Sequence, residues 1–404
     1  MFHIKKQIAI PALIILFLLI GTIFVILLGK GYSLNLNGSG PILSGTGLLV
    51  ATSSPDGAQV IINDHLTTAT DNTINLAPGE YDVKIFKEGY FPWQKKITIK
   101  KEVVSKADAL LFPTAPQLTS ITNIGVKNPV LDPTETKLAY TVSSQSAATN
   151  GIYVLDMSLR PILTLQNTST QLIDDTITAF STANLSWSPD STQILATIQG
   201  TLSPTTYLLT TNGMNQAPQD VTETIATVDA SWQKLKSQKD TAQMNSLPKK
   251  LRTVVADNFN ILQWSADDTK ILYEASQSAT LPLVINPPLI GTDSTAQLRE
   301  IKKGQIYVYD LKEDRNYLIL SALPPVKENA QLPLMWYPDS KHLVYIHDAK
   351  IDMMEYDAQN QTTVYAGPFE DTFVFPWPDA TRLVILTNLG NPSISPNLYT
   401  IGLK

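Results

Sequence analysis

The chain has 404 residues, 43% of them hydrophobic and 16% charged, with a net charge of −6 and no cysteine. That length suggests at least two domains, and the apolar content argues against extended disorder. The acid excess argues against nucleic-acid binding, which needs a basic surface to neutralise phosphates, and the lack of cysteine excludes disulfides, thiolate nucleophiles and zinc–cysteine sites.

The first element is the run Ile8–Leu28, 21 residues without a charge. At ~1.5 Å per residue a helix of that length covers about 31 Å, enough for the hydrocarbon core of a bilayer. A cleavable signal has a shorter apolar region and a small-residue cleavage site; "GKGYSLNLNGSG" after Leu28 offers none. Residues 1–29 therefore read as a short tail and a transmembrane helix, with residues 8–28 in lipid. Lys5 and Lys6 precede the run, whereas Lys30 is followed by no basic residue before Lys84. The positive-inside rule then keeps the N-terminus cytoplasmic and places residues 30–404 outside, on a single-pass protein of the cell membrane.

Residues 30–46 are rich in Gly, Ser and Asn and predict a flexible linker. From Gly47 the pattern becomes short alternating strands separated by Pro-Asp-Gly and Pro-Gly turns. Tyr81, Val83 and Ile85 share one face, Gly89 breaks the strand, and Ile97 and Ile99 resume the alternation. The phrases "PDGAQVIIND", "LAPGEYDVKIFKEGYFPW" and "ADALLFP" resemble the PEGA domain, a small β module common on bacterial envelope proteins. The resemblance covers 47–114, although "NDHLTTATDNTINL" departs from the family's usual Gly-rich turn.

Beyond residue 115 a different repeat begins. "LSWSPDSTQILAT" (185–197), "LQWSADDTKILYE" (262–274) and "LMWYPDSKHLVYI" (334–346) share a tryptophan, a polar turn and an apolar strand. "VFPWPDATRLVIL" (374–386) reads as the same phrase with one residue lost after Trp377, and "NPVLDPTETKLAYT" (128–141) as a weaker copy with Leu131 in the tryptophan's place. Trp336 and Trp377 lie 41 residues apart, about one four-stranded blade of a β-propeller. The phrases resemble TolB-like propellers. Insertions widen the other spacings, leaving five blades, or six if the first insertion hides a degenerate unit. The similar "SPDGAQVI" at 54–61 lacks the tryptophan and has no propeller partner strand, so it is a shared turn and not a shared module. The expected fold is mainly β: a transmembrane helix, a PEGA-like domain, then a five- or six-bladed propeller over 115–404 with a helical insertion at about 220–258.

Chemistry is sparse. Trp187, Trp264, Trp336 and Trp377 read as repeated blade packing, and Asp190, Asp267, Asp339 and Asp379 as turn formers. No calcium-loop, nucleophile-elbow or phosphate-loop pattern occurs. His342 and His347 lie five apart on a predicted strand and so face opposite sides, which disfavours a shared metal. No catalytic, cofactor or metal residue is assigned, and no enzyme activity is expected. Two insertions supply candidate interaction surfaces. Lys234, Lys236, Lys239, Lys249, Lys250 and Arg252 face only Asp240 in a helical stretch, a local basic patch on an acidic protein. The segment "LPLVINPPLIG" (281–291) brings Leu281, Val284, Ile285 and Leu289 together in an apolar, Pro-rich loop that fits either a partner surface or the propeller wall. The expected role is a non-catalytic extracytoplasmic scaffold for an envelope protein partner. The alternatives are a cell-wall, glycan or anionic-polymer binder and a propeller-based hydrolase or lyase.

Overall fold

The computed structural model describes residues 6–29, 32–35, 42–158, 169–324, 331–370 and 373–404. The N-terminal apolar run lies in one helix, α1 (Lys6–Gly29), with exposed side chains from Leu13 to Ile20 and from Ile23 to Ile26. Among the described residues no helix is long and apolar enough to cross a membrane. Within the predicted linker, Tyr32–Asn35 and Ile42–Gly45 pair as an antiparallel hairpin. Residues 30–31 and 36–41 of that linker lie outside the described residues.

The chain divides into two compact units, Met1–Leu111 with Ile285–Ala296, and Phe112–Val284 with Gln297–Lys404. Among the described residues the first contains, besides that hairpin, two small sheets. One orders His65–Ala69, Gln59–Ile62, Gly79–Phe86 and Trp93–Ile99, all antiparallel. The other orders Asn72–Leu76, Gly47–Ser54 and Val104–Leu110, its first and last strands in sequence (Gly47–Ser54 and Val104–Leu110) running parallel. Alternation along each strand sends Leu49, Val60, Val83, Ile85, Trp93 and Ile97 into one core, with Tyr81 packed against it. The segment 285–296 joins this unit along the edge strand Trp93–Ile99. Lys95 Nζ donates to Asp293 Oδ2 at 2.8 Å, with both side chains mostly buried, and Thr98 N–H donates to Ser294 Oγ at 3.0 Å. Unpaired donors of an edge strand are thereby satisfied, which also blunts the edge against foreign strands.

Among its described residues the second unit contains five four-stranded antiparallel sheets. Blade 1 is Lys127–Leu131, Lys137–Val142, Gly151–Asp156 and Ser169–Asp174; blade 2 is Asn184–Trp187, Gln193–Ile198, Thr205–Thr210 and Gln219–Asp220. Blade 3 is Phe259–Trp264, Lys270–Ala275, Ile306–Asp310 and Arg315–Leu320; blade 4 is Leu334–Trp336, His342–His347, Lys350–Glu355 and Thr362–Tyr365. Blade 5 takes Val374–Pro376, Arg382–Thr387 and Asn397–Gly402 from the end of the unit and Leu118–Ser120 from its beginning. That last pairing closes the ring, so the ends of the propeller hold each other. The first insertion contributes helices and no blade strand beyond Gln219–Asp220: α2 (Ile225–Ser246) and α3 (Lys249–Asn258).

The repeat register corrects one expectation. Leu131, Trp187, Trp264 and Trp336 pair across their hairpins with Leu138, Ile194, Ile271 and Leu343, but the equivalent partner Leu383 faces Pro376. The closing bond of the turn says the same: Ser188, Ser265 and Tyr337 donate N–H to the carbonyls of Gln193, Lys270 and His342, and Trp377 donates to that of Arg382. No residue is lost in blade 5. Its tryptophan is shifted one place along the strand, which sends the ring to the opposite face. There Trp377 joins the core shared by blades 5 and 1, under the Arg382 guanidinium at 4.7 Å.

Candidate functional site

Each blade passes from its first to its second strand through one tight turn. The fourth turn position is left-handed in every case: Glu135, Ser191, Asp268, Ser340 and Ala380 have φ between 53° and 59°. A turn aspartate pins the bend from inside. Asp190 accepts from Thr192 N–H at 3.2 Å, Asp267 from Thr269 N–H at 3.2 Å, Asp339 from Lys341 N–H at 2.9 Å and Asp379 from Thr381 N–H at 2.9 Å. Blade 1 swaps the residues and keeps the geometry: Asp132 sits two places earlier and accepts from Thr134 and Thr136 N–H at 3.1 and 2.8 Å. Burial pushes Asp267 up, yet the bonds from Thr269 and Ser265 prevail and carry it down to about 2. These aspartates are engaged by their own turns.

The turns of blades 1 to 4 converge with α2 on a pocket of about 850 Å³. Hydrogen bonds link the blades around it. Lys137 Nζ donates to Ser191 O at 3.2 Å, joining blades 1 and 2, and Asp267 N–H donates to Ser340 Oγ at 3.1 Å, joining blades 3 and 4. Gln263 is the hub: its side-chain amide donates to Glu135, accepts from Trp336 N–H at 2.9 Å, and its carbonyl accepts from Trp336 Nε1 at 3.3 Å. Helix α2 is tied to the same rim by Gln243 Nε2 donating to Asp268 Oδ1 at 3.0 Å.

Aromatic rings back the pocket. Trp187, Trp232 and Trp336 are buried and Trp264 is half-buried, so Trp264 is the ring most available to a ligand. The charged lining is mixed: Glu135, Asp229, Asp240 and Asp268 against Lys236 and Lys239. Burial pushes the Glu135 carboxyl up; the Gln263 bond opposes this, the Asp132 charge adds to it and the Lys239 ammonium opposes it. Tyr337 stands where blades 2 and 3 place Ser188 and Ser265. Those short hydroxyls accept from the backbone of their own turns. The longer tyrosine carries its hydroxyl away, and that oxygen is buried without a hydrogen-bond partner. Burial first, then the Asp339 and Asp379 charges, push its ionisation upward, so it is a neutral phenol.

The predicted basic patch is divided. Lys236 and Lys239 line the pocket, while Lys234 and Lys249 are exposed elsewhere on the insertion. Lys250 Nζ donates to Leu283 O, tying α3 to the second insertion, and Arg252 donates to Asn245 O and Leu247 O at 3.0 and 3.1 Å, tying α3 to the end of α2. The apolar loop divides too. Leu281 is buried with Val284 against it beside blade 3, and Val284 N–H donates to Asp314 Oδ2 at 2.7 Å. Ile285 and the exposed Leu289 belong to the first unit. Glu135, Trp232, Gln243, Gln263 and Tyr337 were not indicated by motif reading. For two of them the signal is the repeat itself: Glu135 fills a turn slot that is serine, aspartate or alanine in the other blades, and Tyr337 one that is serine in blades 2 and 3. Among the described residues no group of three or more His, Asp or Glu could hold a metal ion.

Residues 46–114 match the family model described as PEGA domain. No curated protein matches the chain. Among solved structures, a putative TolB from Agrobacterium tumefaciens is 13% identical, with 68% of this chain and 72% of that one covered and a TM-score of 0.20. TolB from Acinetobacter baumannii is 13% identical over 80% of this chain and 60% of that one, with a TM-score of 0.20. An acylaminoacyl peptidase is 10% identical over 69% of this chain and 39% of its own length, with a TM-score of 0.19. The propeller assignment rests on strand order and ring closure. Residues 46–114 are thus a PEGA domain, followed in the chain by a five-bladed propeller.

Proposed function

We propose that the protein is a membrane-anchored, extracytoplasmic scaffold that binds an envelope protein partner and performs no catalysis of its own. The observation that carries this reading is the pocket at the propeller mouth, walled by turns from four blades and by α2. A surface assembled from so many elements presents a broad rim with an adjustable set of loops, as interaction platforms do.

Anchoring is supported by α1. It contains the uncharged run Ile8–Leu28. The described apolar side chains are exposed around the helix, and the lone hydroxyl, Thr22 Oγ1, donates to Leu18 O at 2.8 Å and needs no water. The lysines before the helix favour a cytoplasmic N-terminus, with the PEGA domain and the propeller outside. The PEGA match favours the same compartment.

The test is a photo-reactive residue at Lys234, on the exposed insertion near the mouth, in intact cells, followed by mild-detergent extraction. A stoichiometric envelope protein cross-linked there supports the scaffold. Recovery of wall polymer alone, or of no cross-linked species, overturns it.

A further inference from the structure

We propose that the mouth pocket is a saccharide site, taking a short neutral or amino-sugar oligosaccharide. This goes beyond the scaffold reading, since a sugar in the mouth and a protein on the rim are separate ligands. Four observations converge. The volume of about 850 Å³ lies within the 300–1,000 Å³ usual for small-ligand sites and is too large for a single side chain. The half-buried Trp264 ring, packed from behind on the blade 3 core, offers a flat apolar platform, and the C–H face of a pyranose is its natural counterpart.

The polar lining suits hydroxyl groups. Gln233 and Asp229 are exposed on the α2 wall, and an amide or carboxylate presents two atoms to a pair of adjacent sugar hydroxyls. Charge decides between sugars. Of the six charged side chains lining the pocket, four are acidic, so a polyanionic glycan is repelled while a neutral or amino sugar is not.

The test uses the full-length protein in detergent, with tryptophan fluorescence and calorimetry. Probes are a panel of neutral and amino-sugar tetrasaccharides, hyaluronan fragments of equal length, and a proline-rich decapeptide as the peptide competitor. The expected result is saturable binding to at least one neutral or amino sugar, with Kd raised about tenfold by Trp264→Ala. Gln233→Ala, on the exposed side of α2, separates binding loss from unfolding. No saturable binding across the panel, binding indifferent to both variants, or binding of hyaluronan or the peptide alone overturns the proposal. Sugar binding without a cross-linked protein in cells removes the scaffold reading only, and a cross-linked protein without sugar binding removes this one only.

Discussion

Ser191 is an internal flaw of blade 2 that a single substitution should mend. It has φ of 59°, is 3% exposed, and its hydroxyl has no hydrogen-bond partner. Ser191→Gly removes the left-handed strain of a β-carbon, about 1 kcal/mol, and the buried unsatisfied hydroxyl, about another 1 kcal/mol. Against this, glycine gives the unfolded chain more freedom to lose, about 0.4–1 kcal/mol. The backbone bonds of the turn survive, because Ser191 uses its N–H toward Ser188 O and its carbonyl toward Lys137 Nζ. The net expectation is a gain of about 1 kcal/mol. In urea this appears as a rise in the propeller's midpoint of about 0.3 M with an unchanged slope. Ala380→Gly is the control: φ is 53° and there is no hydroxyl, so strain relief and entropy nearly cancel. A Ser191→Gly protein that unfolds at lower urea than wild type, or no better than Ala380→Gly, would refute the assignment of strain and orphan hydroxyl to this turn.

Buried His342 contacts Asp339 Oδ2 at 2.6 Å. Burial lowers its pKa, but Asp339 outweighs this and holds it above 6.5, while Asp339 itself, raised by burial, is drawn below 3.8 by the His342 charge. The histidine's contribution is full below 6.5 and lost as pH rises through its elevated pKa; the aspartate's is present above 3.8 and lost as pH falls through its depressed one. Wild type should therefore exceed His342→Gln in stability by more at pH 5 than at pH 8.5, and an equal margin in denaturant titrations at the two pH values would count against it. Lys95→Ala should cost the first unit about 3 kcal/mol by taking the cation from a mostly buried Asp293, read as a lower melting temperature; an unchanged melt would show the pair to be dispensable. Replacing 225–258 with a Gly-Ser linker should lower propeller stability by several kcal/mol, because buried Leu251, Val254 and Val255 are worth ~1.5–3 kcal/mol each. Full retention of the propeller melt would mean the insertion is an appendage.

The blade repeats were legible because their turn chemistry is local: an aspartate bonded to the N–H two residues on gives the same phrase wherever the bend recurs. The PEGA strands were legible for a related reason, since Val83 and Ile85 alternate as a half-buried strand requires. The Trp377 shift was not. A tryptophan beside Pro-Asp looks like its counterparts in sequence, and only hairpin pairing reveals that it occupies the serine slot. The split of the basic patch was equally hidden, because which face of α2 meets the blades depends on Val228 and Trp232 docking against Leu195 and Leu208. The pocket was invisible to motif reading for a deeper reason. Glu135 and Gln263 meet across the ring, and no local pattern encodes a contact 128 positions apart.

The insertion explains both the blade number and the pocket. Blades 1 and 2 share one apolar cluster, blades 3 and 4 another, and blades 5 and 1 a third. Between blades 2 and 3 the packing is different. The start of α2 covers Leu195 and Leu208 of blade 2, while the end of α2 and all of α3 cover Phe259, Ile271 and Tyr273 of blade 3. Two helices thus stand where direct blade contact would otherwise be, and they cap apolar faces that a further sheet would have covered. A sheet there would bring one more tight turn to the mouth. A helix instead brings a row of side chains, Asp229, Gln233, Lys236 and Asp240, spaced three or four apart on one face. Helices between blades 2 and 3 therefore give the mouth an asymmetric pocket with one long polar wall, and asymmetry of that kind is what selection among ligands requires.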